Sequence, residues 1–159
     1  MSNKLRDLCT IHSFRVRCQP SPNPKIIEII GGVFRDYQRR VLGAFCSNLD
    51  APSVVHAKAL AVIKVIELAW LHACHNVWIE TDSLLVTQFF RSPHLVPWCL
   101  RIDWQNCLHR LQCMSFKISH IFREGNHAAD ASANHDALGS GFTWRDTALS
   151  FILSFYHRD

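Results

Sequence analysis

The sequence predicts an α/β domain in which helices flank one mixed β-sheet. Three observations predict it. Strand-type and helix-type patterns follow each other in the order hairpin strands, helix, strand, helices, strand, helix, an alternation that calls for a sheet covered by helices. The chain has 159 residues, 48% of them hydrophobic and 19% charged, enough for one buried core and too apolar for wholesale disorder. No internal repeat or low-complexity tract interrupts the order.

Along the chain, residues 1–18 form a short mixed segment and "QPSPNP" then acts as a breaker. "KIIEII" is a strand candidate, and "GGVFRD" and "RVLGAFCSNL" are two more, joined by the polar turn "YQRR". After "DAPS", where Asp50 or Ser53 stands ready to cap, "VVHAKALAV" opens a helix that ends near Ala73. On a 3.6-residue turn Lys58 shares a face with Val54, Ala61, Val62 and Val65, while His56, Lys64 and Glu67 lie roughly opposite. "NVWIET" alternates, with Val77 and Ile79 on one side and Trp78 and Glu80 on the other. A short helix "SLLVTQFF" begins at Ser83, and "SPHLVP" is a loop. Residues 98–112 make another helix, with Leu100, Trp104, Leu108 and Leu111 in one stripe. "SFKISHI" is a strand, "REGNH" a loop, "AADASANH" the start of an alanine-rich helix, and "ALSFILSFY" an apolar helix candidate in the tail.

The formal charge of +4 is mildly basic: it tolerates nucleic acid as a partner without demanding it. Seven cysteines are scattered with no CxxC pair, which argues against a disulfide framework or structural zinc and for a reducing compartment. "CTIH" and "HACH" pool metal ligands only weakly, since buried reduced cysteine is the commoner state. No apolar run reaches the length of a membrane span, and the first 18 residues lack the apolar core of a secretory signal. The expected location is intracellular, nuclear or cytoplasmic, with no membrane partner.

Two acidic residues stand at strand-to-helix junctions. Asp82 ends "NVWIETD" and Asp130 closes "ISHIFREGNHAAD". Groups beyond the strand ends of an open α/β sheet line its ligand crevice, and two carboxylates there suit divalent cations. Taken singly, an Asp before a Ser at a helix start reads first as a cap or a partner of the helix dipole.

The motifs read together say more. "GGVFRD…LGAF", "HAKALAV…ELAW", "VWIETDS", "VPW" and "HIFREGNHAAD" occur in that order across residues 31–135. The series resembles the ribonuclease H-like domain of plants, the type-1 kind found in genes derived from retrotransposons and reverse transcriptases. The resemblance implies a ribonuclease H-like mixed sheet of five strands flanked by helices. It also implies four carboxylates holding two magnesium ions that cut the RNA strand of an RNA–DNA hybrid. The carboxylates come from a "TDG" on the first strand, an "AE" on the first helix, an "SDS" or "TDS", and the "AD" closing "REGNxxAD".

Carried over, Asp82 matches the third and Asp130 the fourth, as catalytic and metal-binding residues. His120 matches a histidine that assists proton transfer or product release. Asn126 matches a loop residue near the substrate backbone, and Arg123 beside it is a candidate nucleic-acid contact. The second carboxylate falls on Lys58, and no "TDG" occurs, so the first, central strand is read as lost or replaced. Two lesser departures are Arg39 where the hairpin turn usually has Gly and Ser132 where a core Leu follows "AD".

The implied organisation is a connector over residues 1–24, an incomplete ribonuclease H-like domain over 25–138, and a tail over 139–159 with a short apolar helix. Residues 25–30 offer a makeshift first strand carrying Glu28, turned by the Gly-Gly at 31–32. Lys58 is expected to fill a metal's space and pair with Asp82, Asp130 or both, the alternative being a side chain that snorkels to solvent. The implied partner is nucleic acid, an RNA–DNA hybrid or RNA, with Arg35, Arg39, Arg40, Lys117 and Arg123 available for phosphate contacts or simply solvated. Hydrolysis is expected to be weak or absent and Mg2+ binding impaired. The alternative is a non-catalytic or unstable truncated gene product that acts at most as an interaction surface.

Overall fold

The computed structural model describes residues 9–13, 17–19, 27–35, 41–122 and 142–145. Among the described residues, seven strands and three α-helices follow in order: β1 (Cys9–Ser13), β2 (Arg17–Gln19), β3 (Ile27–Arg35), β4 (Val41–Asp50), α1 (Val54–Leu71), β5 (Asn76–Thr81), α2 (Leu84–Phe89), α3 (Arg101–Leu111), β6 (Ser115–His120) and β7 (Phe142–Arg145). Short 3-10 turns at Pro93–Leu95 and Trp98–Leu100 occupy the stretch between α2 and α3.

The strands form one sheet in the order β6-β5-β1-β3-β4-β7, with β2 also paired to β3. β5 runs parallel to β1 and to β6, whereas β3 is antiparallel to β1, β2 and β4. The sheet is therefore mixed, and its parallel strands place their C-terminal ends together.

Three expectations are corrected here. First, the central position is filled by Cys9–Ser13, from the segment read as a connector, and not by residues 25–30. Thr10 is registered with Arg35 on one side and Trp78 on the other. The physical reason is the ladder: without a strand between β3 and β5, two rows of backbone donors and acceptors would lack partners. Second, Gly31 and Gly32 make no hairpin turn. β3 runs straight through them, with Gly31 opposite Cys46 and Gly32 opposite Phe45, so nine residues of pairing override the local turn signal. Glu28 accordingly lies on β3, opposite Leu49 of β4 and Cys18 of β2. Third, the described residues form a sheet of seven strands where the resemblance implies five; one of them, Phe142–Arg145, lies at the sheet edge, registered with residues 44–47 of β4. The helix expected over 148–156 lies outside the described residues.

α1 starts where the sequence places it. Ser53 is the N-cap, its hydroxyl accepting the His56 N–H at 3.3 Å. Small alanines let the helix lie close against its neighbours, and nine of its residues are buried, among them Ala57, Ala59, Val62, Val65 and Ile66. The helix ends at Leu71, two residues before Ala73, which takes a left-handed φ of 54° as the chain turns out of the helix. α3 packs beside it, with Trp104 edge-on to Phe89 at 5.6 Å and to Phe90 at 4.8 Å. Phe34, Phe45 and Ile79 complete the core from the sheet side.

Candidate functional site

The C-terminal end of β5 is the centre of the site. Val77, Ile79 and Thr81 are buried, so the strand leaves the sheet with its inner face fully packed. The next turn is fixed by two hydroxyls. Thr81 Oγ1 accepts the Ser83 N–H at 3.2 Å, and Ser83 Oγ accepts the Val86 N–H at 3.3 Å, capping α2. Ser83 thus takes the capping role, and the Asp82 carboxylate is left for another partner.

That partner is Lys58. Its ammonium nitrogen lies 3.1 Å from Asp82 Oδ1, with the lysine side chain 20% exposed and the aspartate side chain 5% exposed. Distance and direction differ at this contact: Oδ1 is within ion-pair range yet receives no well-directed hydrogen bond. The short separation decides its energetics, because charge attraction needs no alignment, so the contact is an ion pair rather than a hydrogen bond. Of the face-mates expected for Lys58, Ala61, Val62 and Val65 are fully buried, while Val54 at the first turn is 47% exposed. Lys58 therefore reaches across to β5 instead of extending into solvent.

His120 closes β6 in register with Thr81, and the Ile121 N–H donates to the Thr81 carbonyl at 2.9 Å. Its exposed ring stands edge-on to Phe122 at 5.7 Å. Lys58, Asp82 and His120 are thus brought to one end of the sheet. Arg123, Asn126 and Asp130 lie outside the described residues, as do Arg39 and Arg40. Of the other basic residues named from the sequence, Arg35 is buried. Lys117 is exposed, its ammonium 4.3 Å above the Trp78 ring, and Trp78 Nε1 donates to Ser119 Oγ at 2.7 Å.

The sequence reading missed Thr81, which orients the turn bearing Asp82. The signal was present as a Thr-x-Ser step at the end of a strand, the pattern of a hydroxyl-closed turn. Among the described residues no group of three or more His, Cys, Asp or Glu side chains is placed to hold a metal. Cys107 is buried, and that burial is the main cause pushing its thiol up to about 12.

A mixed sheet of this order, carrying charged residues where its parallel strands end, defines a ribonuclease H-like domain. The sequence pattern of the family described as Reverse transcriptase-like matches residues 28–136, and the chain belongs to that family. A protein of Arabidopsis thaliana that carries a ribonuclease H name is 28% identical over 141 residues, which is 81% of this chain. The chain spans about a fifth of that relative's length (21%). The crystal structure of ribonuclease H1 from the archaeon Halobacterium salinarum is similar, with a TM-score of 0.62 and 20% identity over 82% of this chain and 96% of the other. The LC11 ribonuclease H1, solved in complex with an RNA/DNA hybrid, matches with a TM-score of 0.64 and 18% identity over 83% of this chain and 99% of that one. Among the described residues, no helix is long and apolar enough to cross a membrane.

Proposed function

We propose that this domain binds nucleic-acid duplexes of the RNA–DNA hybrid class at the end of the sheet marked by Asp82 and His120, and does not hydrolyse them. The observation that carries the reading is the Lys58 ammonium 3.1 Å from the Asp82 carboxylate. Family membership and the hybrid held by the LC11 enzyme support the choice of ligand. His120, Arg123 and Asn126 are the residues assigned to the duplex backbone on this reading.

The residues present fit a pair of divalent cations poorly. The central strand, "CTIHS", carries no carboxylate. The helix position carries Lys58, and one Asp82 oxygen is already engaged by it. A metal ion beside that ammonium meets repulsion of ~4 kcal/mol per unit charge pair at 4 Å and moderate dielectric. Asp82 and Asp130 are the two carboxylates left of the four family positions, and with one Asp82 oxygen taken they offer too few oxygen ligands for two hard cations. With no metal pair there is nothing to generate the attacking hydroxide or stabilise the leaving oxygen.

Incubating a labelled RNA–DNA hybrid with the protein in Mg2+ or Mn2+ tests this, run beside a relative that keeps all four carboxylates. The expected result is a retained, uncut hybrid whose binding weakens steeply with salt, as counterion release requires. Metal-dependent product would overturn the non-catalytic half of the reading, and absence of binding at low salt the other half.

A further inference from the structure

We infer that Lys58 is itself the phosphate-binding cation of this crevice: its ammonium supplies the positive charge that metal ions supply elsewhere in the fold, and it contacts a phosphodiester of the bound duplex. The inference rests on the nucleic-acid-binding reading above and adds a further group that meets the backbone.

Three observations carry it. The first is an asymmetry of exposure within the pair. The aspartate side chain is 5% exposed and the lysine side chain 20%, so the charge a ligand can reach is the positive one. The second is unspent donor capacity. An ammonium has three N–H donors, and among the described residues the Asp82 contact is the polar partner of this one, without a directed hydrogen bond to Oδ1. Lys64, on the same helix, differs: it donates a hydrogen bond to Glu67 at 3.2 Å and also lies 4.7 Å from the Phe142 ring centre. The third is position. Asp82 directly follows β5, beside His120 at the end of β6, where open α/β sheets take their ligands.

Asp82 then acts as a positioning residue. Its side chain is 5% exposed, it holds the ammonium near the end of the sheet by charge attraction, and it leaves ammonium N–H groups for an anion. A phosphodiester oxygen suits them, since a charge-assisted hydrogen bond from an ammonium is among the stronger contacts available to phosphate. Binding through Lys58 needs no divalent ion. It should persist under chelation, and Mg2+ should weaken it as a competing counterion on the duplex.

Fluorescence anisotropy of a labelled RNA–DNA hybrid over a series of salt concentrations is the test. It compares the wild type, Lys58→Arg and the double variant Lys58→Gln/Asp82→Asn. The double variant keeps the net charge and replaces the ion pair by a neutral hydrogen-bonding pair, so it stays folded, which a thermal melt checks. The expected result is wild-type binding in EDTA that Mg2+ does not strengthen. Affinity falls several-fold in the double variant, with a plot of log K against log salt shallower by about 0.9, the value of one lost phosphate contact. Lys58→Arg keeps both affinity and slope. A double variant that binds the hybrid with unchanged affinity and slope would overturn the role of Lys58 while leaving the binding reading intact. A wild type that binds no hybrid would overturn both.

Discussion

Helix α1 carries two lysines less than two turns apart, and each meets a carboxylate at nearly the same distance, 3.1 Å for Lys58 and 3.2 Å for Lys64. Their settings differ. Lys64 pairs with Glu67 three residues on, both side chains are 35% exposed, and Arg110 of α3 shares the same carboxylate at 3.8 Å. Lys58 reaches a carboxylate on another element, and its partner is almost wholly buried. Such an exposed pair exchanges good hydration for a screened attraction and gains little. The inner pair has given up more hydration, so each charge depends on the other. Distance alone therefore says little about what an ion pair does, and burial with sequence separation says more.

The largest effect is expected from Lys58→Glu. It sets two carboxylates against each other in a poorly hydrated place and should cost ~3–5 kcal/mol in urea unfolding without metal. The variant should still fail to cut hybrid, because the central strand Cys9–Ser13 offers no carboxylate. Turnover by this single variant would show that the site needs only its helix position restored.

Lys58→Met leaves Asp82 without its partner and should cost ~2–3 kcal/mol, below the full value for a buried pair because the lysine is part-exposed. Adding Asp82→Asn should recover most of that loss. A double-mutant cycle with no coupling between the two positions would remove the pair from the account.

The region around the outer pair offers a pH test. Cys107 is buried between α1 and α3, its Sγ 3.8 Å from the Ile63 carbonyl, and burial lifts its thiol from 9.0 to about 12. Above pH 9 the unfolded thiol loses its proton while the folded one keeps it, so the unfolded state binds fewer protons and stability falls as pH rises towards 12. The urea midpoint should drop by the equivalent of about 1 kcal/mol between pH 8 and pH 10. A Cys107→Ala variant should lack that component, and an equal drop in both proteins would contradict the assignment. The smallest effect belongs to Lys64→Ala, below ~1 kcal/mol and fading in 1 M salt. A loss as large as that of Lys58→Met would erase the distinction between the two pairs.

What the sequence made legible follows the same division between local and distant. α1, β5, α2, α3 and β6 each carry their own periodicity, so Ser53 as a cap, the inward face of Lys58 and the strand-end position of Asp82 were readable without the fold. The central strand was not. Cys9–Ser13 is five residues long, and only its pairing with two strands distant in sequence makes it part of the sheet. Gly31 and Gly32 signal a turn locally, and the ladder with β4 cancels that signal. Asp82 preceding Ser83 was ambiguous between capping and pairing until the Ser83 hydroxyl was seen to take the Val86 N–H.

The central claim is that Lys58 stands where a cation would otherwise be needed, and thermal unfolding with and without Mg2+ tests it most directly. A ligand that binds only the folded state must raise its stability. The wild type should melt at the same temperature in millimolar Mg2+ as in a monovalent salt of equal ionic strength, whereas Lys58→Glu should gain stability with Mg2+. A wild type stabilised by ~1 kcal/mol or more in millimolar Mg2+ would contradict the account.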